Sequence, residues 1–235
     1  MEDIKTSIQK FLPYLEDIQR RFYSSTVITL FVFFLGFFSS GYLLKKFIFY
    51  FHIDNVTLAT TSPFQFANIA IDIGIFCALL VGLLLFMYHF FMFAYSALTK
   101  KELRKLLLSI PLSFLLFFFG FFYGFFILFY SFKLLASVNV NLGIQNIWDI
   151  SLFLSQMAIT SALLGLVFQM PLVITLLIRL KIFSIAFLKS KRRLVILLLC
   201  ILVSLLPPTD GLSLIAMALP LYLLYEATIL INLNA

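Results

Sequence analysis

Residues that build soluble catalytic and metal centres are scarce in this chain: its 235 residues include two histidines, two cysteines, one tryptophan and ten carboxylates. There is no His-Glu-x-x-His, Gly-x-Ser-x-Gly or Gly-x-x-x-x-Gly-Lys-Ser/Thr pattern and no cysteine–histidine cluster. The sequence therefore reads as no enzyme, with no metal site and no cofactor. Cys77 and Cys200 both lie inside apolar runs, which predicts free, buried thiols and gives a disulfide little support. Period-two alternation is missing as well, which excludes an outer-membrane β-barrel.

What is present is apolar. Hydrophobic residues make up 63% of the chain and its mean hydropathy is +1.11, outside the range of a soluble domain. Phenylalanine alone supplies 31 residues, roughly three times its usual share. With abundant Ile, Leu and Tyr, that bias points to an A/T-rich genome, organellar or from a reduced bacterium. The expected fold is an all-α polytopic membrane protein, one domain over 1–235, with six apolar segments at 23–44, 72–95, 106–136, 150–178, 194–206 and 212–231. Segments three and four exceed what a bilayer needs and should tilt or project. Residues 1–22 read as an amphipathic surface segment and not a cleavable signal, because no small-residue cleavage site follows the first apolar run.

Charge sorts the loops. Lys5, Lys10, Arg20 and Arg21, then Lys100, Lys101, Arg104 and Lys105, then Arg179, Lys181, Lys189, Lys191, Arg192 and Arg193 fall on one side; Lys45, Lys46 and Lys133 fall on the other. Fourteen against three places both termini and the loops 96–105 and 179–193 inside, and the loops 45–71 and 137–149 outside. The net charge of +7 is thereby explained as topology signalling, which argues against nucleic acid as a partner.

Segment five is short. Lys189, Lys191, Arg192 and Arg193 define its start and Pro207-Pro208 its end, leaving 13 residues. As a helix these cover roughly 20 Å of a hydrocarbon core about 30 Å thick. The expected consequence is local thinning of the bilayer, or shielding of the helix by protein. Asp210, after the prolines and before Gly211, suits a helix N-cap. Gln169 precedes Pro171, so a kink is expected beside an amide that bonds either the carbonyl freed by the proline or a partner helix. Asp72 reads as a helix-start carboxylate at the outer interface, Glu226 as an interfacial residue near the inner end of segment six, and His89 as a hydrogen-bonding residue rather than a ligand.

Four stretches in this order resemble the TatC family, the core receptors of the twin-arginine protein translocase. They are Leu205 through Glu226 (Leu-Leu-Pro-Pro-Thr-Asp-Gly-Leu-Ser to Leu-Tyr-Leu-Leu-Tyr-Glu), Phe168-Gln169-Met170-Pro171, Phe93 through Glu102 with Arg104, and Tyr14 through Phe22. Departures occur at Gln169 and Asp17, where the family has Glu, at Gln19 in place of Arg, at Ser96, Leu84 and Tyr130 in place of Pro, and at Asn68-Ile69, where relatives have a Lys. Glutamine cannot titrate, so a mechanism that needs ionisation at 169 cannot operate here.

The resemblance implies a concave bundle with short helices five and six, no nucleotide, and transport of folded proteins driven by the proton-motive force. It implies that Glu102 and then Asp17 receive the arginine pair of a signal peptide, with Arg21, Phe93 and Lys101 in the same patch. Bidentate, charge-assisted bonds would supply the strength and geometry. Gln169, Pro171, Pro208, Asp210 and Glu226 would serve the intramembrane surface where single-span TatA- and TatB-like partners dock, and the signal's apolar part would lie along segments two and four near Gln169. The implied protein is a homo-oligomer in an energy-coupling membrane, with the mitochondrial inner membrane favoured over a bacterial plasma membrane or thylakoid. The alternative is a structural subunit of a larger organellar membrane complex that has lost translocase activity.

Overall fold

The computed structural model describes residues 23–51, 53–95, 100–207 and 210–233. Within them the chain runs α1 (Tyr23–Phe38), α2 (Ser40–Tyr50), β1 (Val56–Ala59), α3 (Gln65–Tyr95), α4 (Lys100–Asn141), β2 (Asn146–Asp149), α5 (Ile150–Val167), α6 (Met170–Arg179), α7 (Ile185–Ser190), α8 (Arg192–Ser204) and α9 (Gly211–Ile231). Four helical stretches are long and apolar enough to cross a membrane, and five if the bent pair α1–α2 counts as one.

Packing centres on α4 against α5, where small residues let the backbones approach closely. A Cβ built on Gly120 would fall 2.5 Å from Cγ of Phe168, and one on Gly165 would fall 3.0 Å from the carbonyl oxygen of Phe117. Phe117, Leu128, Met157, Leu164 and Phe168 are buried along this seam, and Val203 of α8 and Met217 and Leu221 of α9 close the same core.

The first apolar segment is not one straight span. α1 and α2 meet at 67° around Ser39. The turn carries Phe47 to within 6.4 Å of Phe125 and 6.0 Å of Phe153, and brings Phe51 to 4.5 Å from Phe125. Aromatic burial against α4 and α5 outweighs the helical continuity that a breaker-free, Phe-rich run suggests.

The fold is not purely helical. β1 and β2 form a parallel pair in the register Val56↔Asn146 to Ala59↔Asp149, so the 45–71 and 137–149 stretches meet at one end of the bundle. Helix also intrudes into both: α2 reaches Tyr50, α3 begins at Gln65, two residues after Pro63, and α4 continues to Asn141 before Gly143 turns the chain at φ +76°. At the other end, the Lys-Lys-Glu-Leu-Arg-Lys run belongs to α4, as its good helix formers favour. The 179–193 stretch holds α7, capped by the Ser184 hydroxyl accepting from the Phe187 N–H at 3.1 Å. Lys181 closes α6 in the left-handed region at φ +59°, a conformation that costs a side-chain-bearing residue about 1 kcal/mol.

Segment four breaks where Pro171 requires it: α5 ends at Val167, α6 starts at Met170, and the proline sits in the first turn of α6, where a missing N–H costs nothing. Segment five is α8, which has the expected 13 residues but runs from Arg192 to Ser204, two residues earlier than 194–206, so Arg192 and Arg193 form its first turn. The sixth helix, expected to be short, is 21 residues, about 31 Å. Pro220 does not end it, because the carbonyl of Ala216 that it frees accepts a 2.6 Å hydrogen bond from the Tyr123 hydroxyl.

Candidate functional site

Pro207, just past the end of α8, lies well inside the bundle. Thr160, ten residues into α5, donates to the carbonyl of Pro207 at 3.3 Å, and the hydroxyls of Ser131, ten residues before the end of α4, and Ser213 of α9 bond each other. Ten helical residues cover about 15 Å. The hairpin is therefore drawn in by that distance along α5, and by the same distance from the tip of α4. Asp210 caps α9, its Oδ2 accepting from the Ser213 N–H at 2.9 Å, as its place before Gly211 predicts. Its Oδ1 is buried with no partner among the described residues. Pro208 lies outside the described residues.

Gln169 is 1% exposed, and both polar atoms of its amide are bonded within the chain. The Ser113 hydroxyl donates to Oε1 at 2.7 Å, and Nε2 donates to the Ser113 carbonyl at 2.9 Å. The amide thus clamps the α5–α6 break to α4. Of the two roles open to it, bonding the carbonyl freed by Pro171 is the one not taken. Nor does it present a polar group on an open face of segments two and four. Pro171 is half-buried in the same break.

Near the opposite end of α9, Glu226 accepts from Arg192 at 2.8 Å and from the Tyr222 hydroxyl at 3.2 Å. With side chains 44% and 21% exposed, the Arg192–Glu226 pair contributes under about 1 kcal/mol and serves to set the start of α8 beside α9. Tyr225, fully buried, donates to the Leu188 carbonyl at 2.8 Å, and Asn232 donates to Thr175 at 2.9 Å, so α9 is also tied to α7 and α6.

Two carboxylates organise the strand-bearing end. Asp72 is seven residues into α3, not at its start, because the helix begins at Gln65; its Oδ2 accepts from Ser151 and Ser155 of α5 at 2.9 Å each. Asp149 caps α5 through the N–H groups of Ser151 and Leu152 and accepts from Thr61 at 2.6 Å and Gln65 at 2.5 Å. The Thr61 bond first, then the backbone bond from Leu152, with the Gln65 and Ser151 bonds, hold its carboxyl below the usual aspartate range against a smaller opposing effect of desolvation. A lowered carboxylate contributes stability that is fully present above its unfolded value of about 4 and is lost as pH falls through the lower folded value. The protection of the Ser151 and Leu152 amides, measured against their intrinsic exchange rates, should therefore fall only in acid, below the ordinary aspartate titration, and Asp149→Asn should remove that step. An unchanged acid profile in the variant would refute the assignment.

Between α1 and α3 lies an open groove of about 390 Å³, lined by Ser25, Thr29, Leu30, Phe33, Gly82 and Phe86, among others. His89 closes one end, its Nε2 2.6 Å from the Ser25 hydroxyl, in keeping with a hydrogen-bonding role. Cys77 and Cys200 are free and half-buried. Glu102 and Lys101 stand in the first turn of α4 and Phe93 in the last turn of α3, with side chains outside the described part of the structure; Asp17 and Arg21 lie outside the described residues altogether. Ser113, Tyr123 and Asp149 were missed from sequence. Of these, Asp149 alone carried a local signal, a carboxylate directly before an apolar helical run.

The family model described as "Sec-independent protein translocase protein (TatC)" matches residues 13–220. The chain belongs to the TatC family. Relatives named Sec-independent protein translocase protein TatC include one from Desulforapulum autotrophicum, 34% identical over 160 residues that make up 65% of this chain and 58% of that protein. Another, from Rickettsia prowazekii, is 46% identical over 67 residues, 28% of this chain and 27% of that protein. A third, from Akkermansia muciniphila, is 32% identical over 104 residues, 44% of this chain and 28% of that protein. The chain thus spans between about a quarter and three fifths of the length of these relatives. Among solved structures, a twin-arginine translocase receptor TatC crystallised in DDM superposes with a TM-score of 0.79 at 24% identity, covering 92% of this chain and 98% of that one. A second crystal structure of the receptor gives 0.72 at 26%, covering 92% and 96%. The TatC fold is a multi-pass helical membrane fold, and this chain has it.

Proposed function

We propose that this chain is the receptor and core component of a twin-arginine translocase. It binds twin-arginine signal peptides at its basic inner face and assembles, as a homo-oligomer, with TatA- and TatB-like single-span partners to move folded proteins on the proton-motive force. The observation that carries the reading, beyond family membership, is the truncated α8, after which Pro207 is held about 15 Å down α5 by Thr160. Such a recessed hairpin thins the apolar barrier where cargo passes. Both termini face inside in this reading, and the Phe- and Ile-rich composition favours the mitochondrial inner membrane.

Glu102, with Asp17, Arg21, Phe93 and Lys101, forms the patch that holds the arginine pair. The apolar part of the signal lies in the α1–α3 groove; the buried Gln169 amide makes the α3/α5 face a poorer site than sequence suggests. Gln169, Pro171, Pro208, Asp210 and Glu226 support the partner-docking surface by fixing the α5–α6 break and the α8–α9 hairpin.

The test is photocrosslinking from a probe next to residue 102 to a translocating twin-arginine precursor in native membranes. Glu102→Gln should cut the crosslinking yield about ten-fold or more, the value of one charge-assisted bidentate contact. Undiminished yield in the variant would reject Glu102 as the receptor carboxylate. No crosslink in the unsubstituted chain, together with stoichiometric co-purification of other subunits, would favour the structural-subunit alternative.

A further inference from the structure

The connector from α6 to α8 combines two features that no transport role at the hairpin uses. Arg179, in the last turn of α6, has no carboxylate or carbonyl partner among the described residues, and its Nε is sealed from solvent. The acid toward this end of α9, Glu226, is already taken by Arg192. A half-buried guanidinium left unpaired is costly, so an external anion at its open tips would be favoured. Two residues on, Lys181 holds the left-handed position that ordinarily selects glycine, at φ +59°. Strain kept at such a position points to a use for the side chain.

Apolar side chains stand exposed beside these cations. Ile182 is 59% exposed, Phe183 37% and Phe187 45%. The two phenylalanine rings stack at 5.5 Å, and the Lys191 ammonium lies 6.0 Å above Phe187. Cations at the rim of an exposed aromatic pair match the boundary between phospholipid headgroups and acyl chains. Free phosphate would make no use of the Ile182, Phe183 and Phe187 surface.

We propose that this connector is a binding site for an anionic phospholipid: Arg179 and Lys181 take the headgroup phosphate, Lys191 adds charge at its edge, and Ile182, Phe183 and Phe187 seat among the acyl chains. The site should hold lipid whether or not the chain transports cargo.

Native mass spectrometry of the full chain in detergent, titrated with phosphatidylglycerol or phosphatidylcholine, tests it. The unsubstituted chain should retain phosphatidylglycerol preferentially. Each cation near an anionic lipid contributes a factor of about five, so Arg179→Gln combined with Lys181→Gly should weaken phosphatidylglycerol retention about 25-fold and leave phosphatidylcholine unchanged. Lys181→Gly alone relaxes the backbone, so its melting temperature should not fall while its phosphatidylglycerol affinity drops; this separates lost binding from lost folding. Lys133→Gln, on α4 toward its strand-bearing end, should change nothing. Equal phosphatidylglycerol affinity in the double variant overturns the proposal, and so does competition by inorganic phosphate as effective as that by the lipid.

Discussion

Replacing Gln169 by leucine should lower the stability of the folded chain by about 1–3 kcal/mol, read as a fall in melting temperature in detergent or lipid. Leucine nearly matches the volume of glutamine, so the loss comes from hydrogen bonds and not from a cavity. Two are removed, the one from the Ser113 hydroxyl to Oε1 and the one from Nε2 to the Ser113 carbonyl. They join the only break in the α5–α6 span to α4, so their loss should loosen the kink and impair transport. Peptide binding at the inner face should persist. A glutamate at this position could reproduce both bonds only as the neutral acid, its O–H donating to the Ser113 carbonyl. Gln169→Glu should accordingly be less stable in mildly alkaline than in acidic buffer, whereas the native amide is insensitive to pH. A melting temperature for Gln169→Leu equal to that of the unsubstituted chain would show that the clamp contributes nothing. Non-additivity between Gln169→Leu and Ser113→Ala would locate the energy in this pair.

Elements punctuated by proline were legible in advance. Pro207-Pro208 and the basic run at 189–193 give α8 its length, though the helix starts within that run at Arg192; Pro171 marks the α5–α6 break, and Asp210 before Gly211 is a cap in sequence and in structure. These depend on local chemistry, which a sequence displays directly. The bend at Ser39 was not legible, because it is set by rings on α4 and α5 and not by any residue near the bend. The start of α3 was placed too late because Asp72 looked like an interfacial cap, whereas its partners are two serines on another helix. The same holds for Gln169: its type announced a buried amide, but Ser113 lies 56 residues away, and only the register of α4 on α5 brings them together. The Tyr123–Ala216 bond, which lets Pro220 stay within α9, is likewise a product of tertiary packing.

Lengthening α8 should abolish transport. Seven added apolar residues before Leu205 extend the helix by about 10 Å and almost exactly two turns, so the same face still meets α9. The Arg192–Glu226 contact fixes the start of the helix, so the extra length must push Pro207 past Thr160 and carry the Asp210 cap toward the tips of α4 and α5. The hairpin would then span a normal bilayer without distorting it. Transport of a folded twin-arginine reporter should be lost, while protease protection shows the chain still inserted with unchanged topology. Full transport by the elongated variant would mean that the recessed hairpin is not what thins the barrier.

The parallel pairing of β1 with β2 has a consequence for biogenesis. Val56 finds its partner only at Asn146, some ninety residues later, with two long apolar helices between them. A nascent chain that has inserted α1 to α3 therefore waits with β1 unpaired until α4 and β2 have followed. Closure of this end, sealed by Thr61, Gln65 and Asp149, is then a late checkpoint in assembly: a chain arrested before residue 146 carries an open strand edge that quality control or a chaperone can recognise.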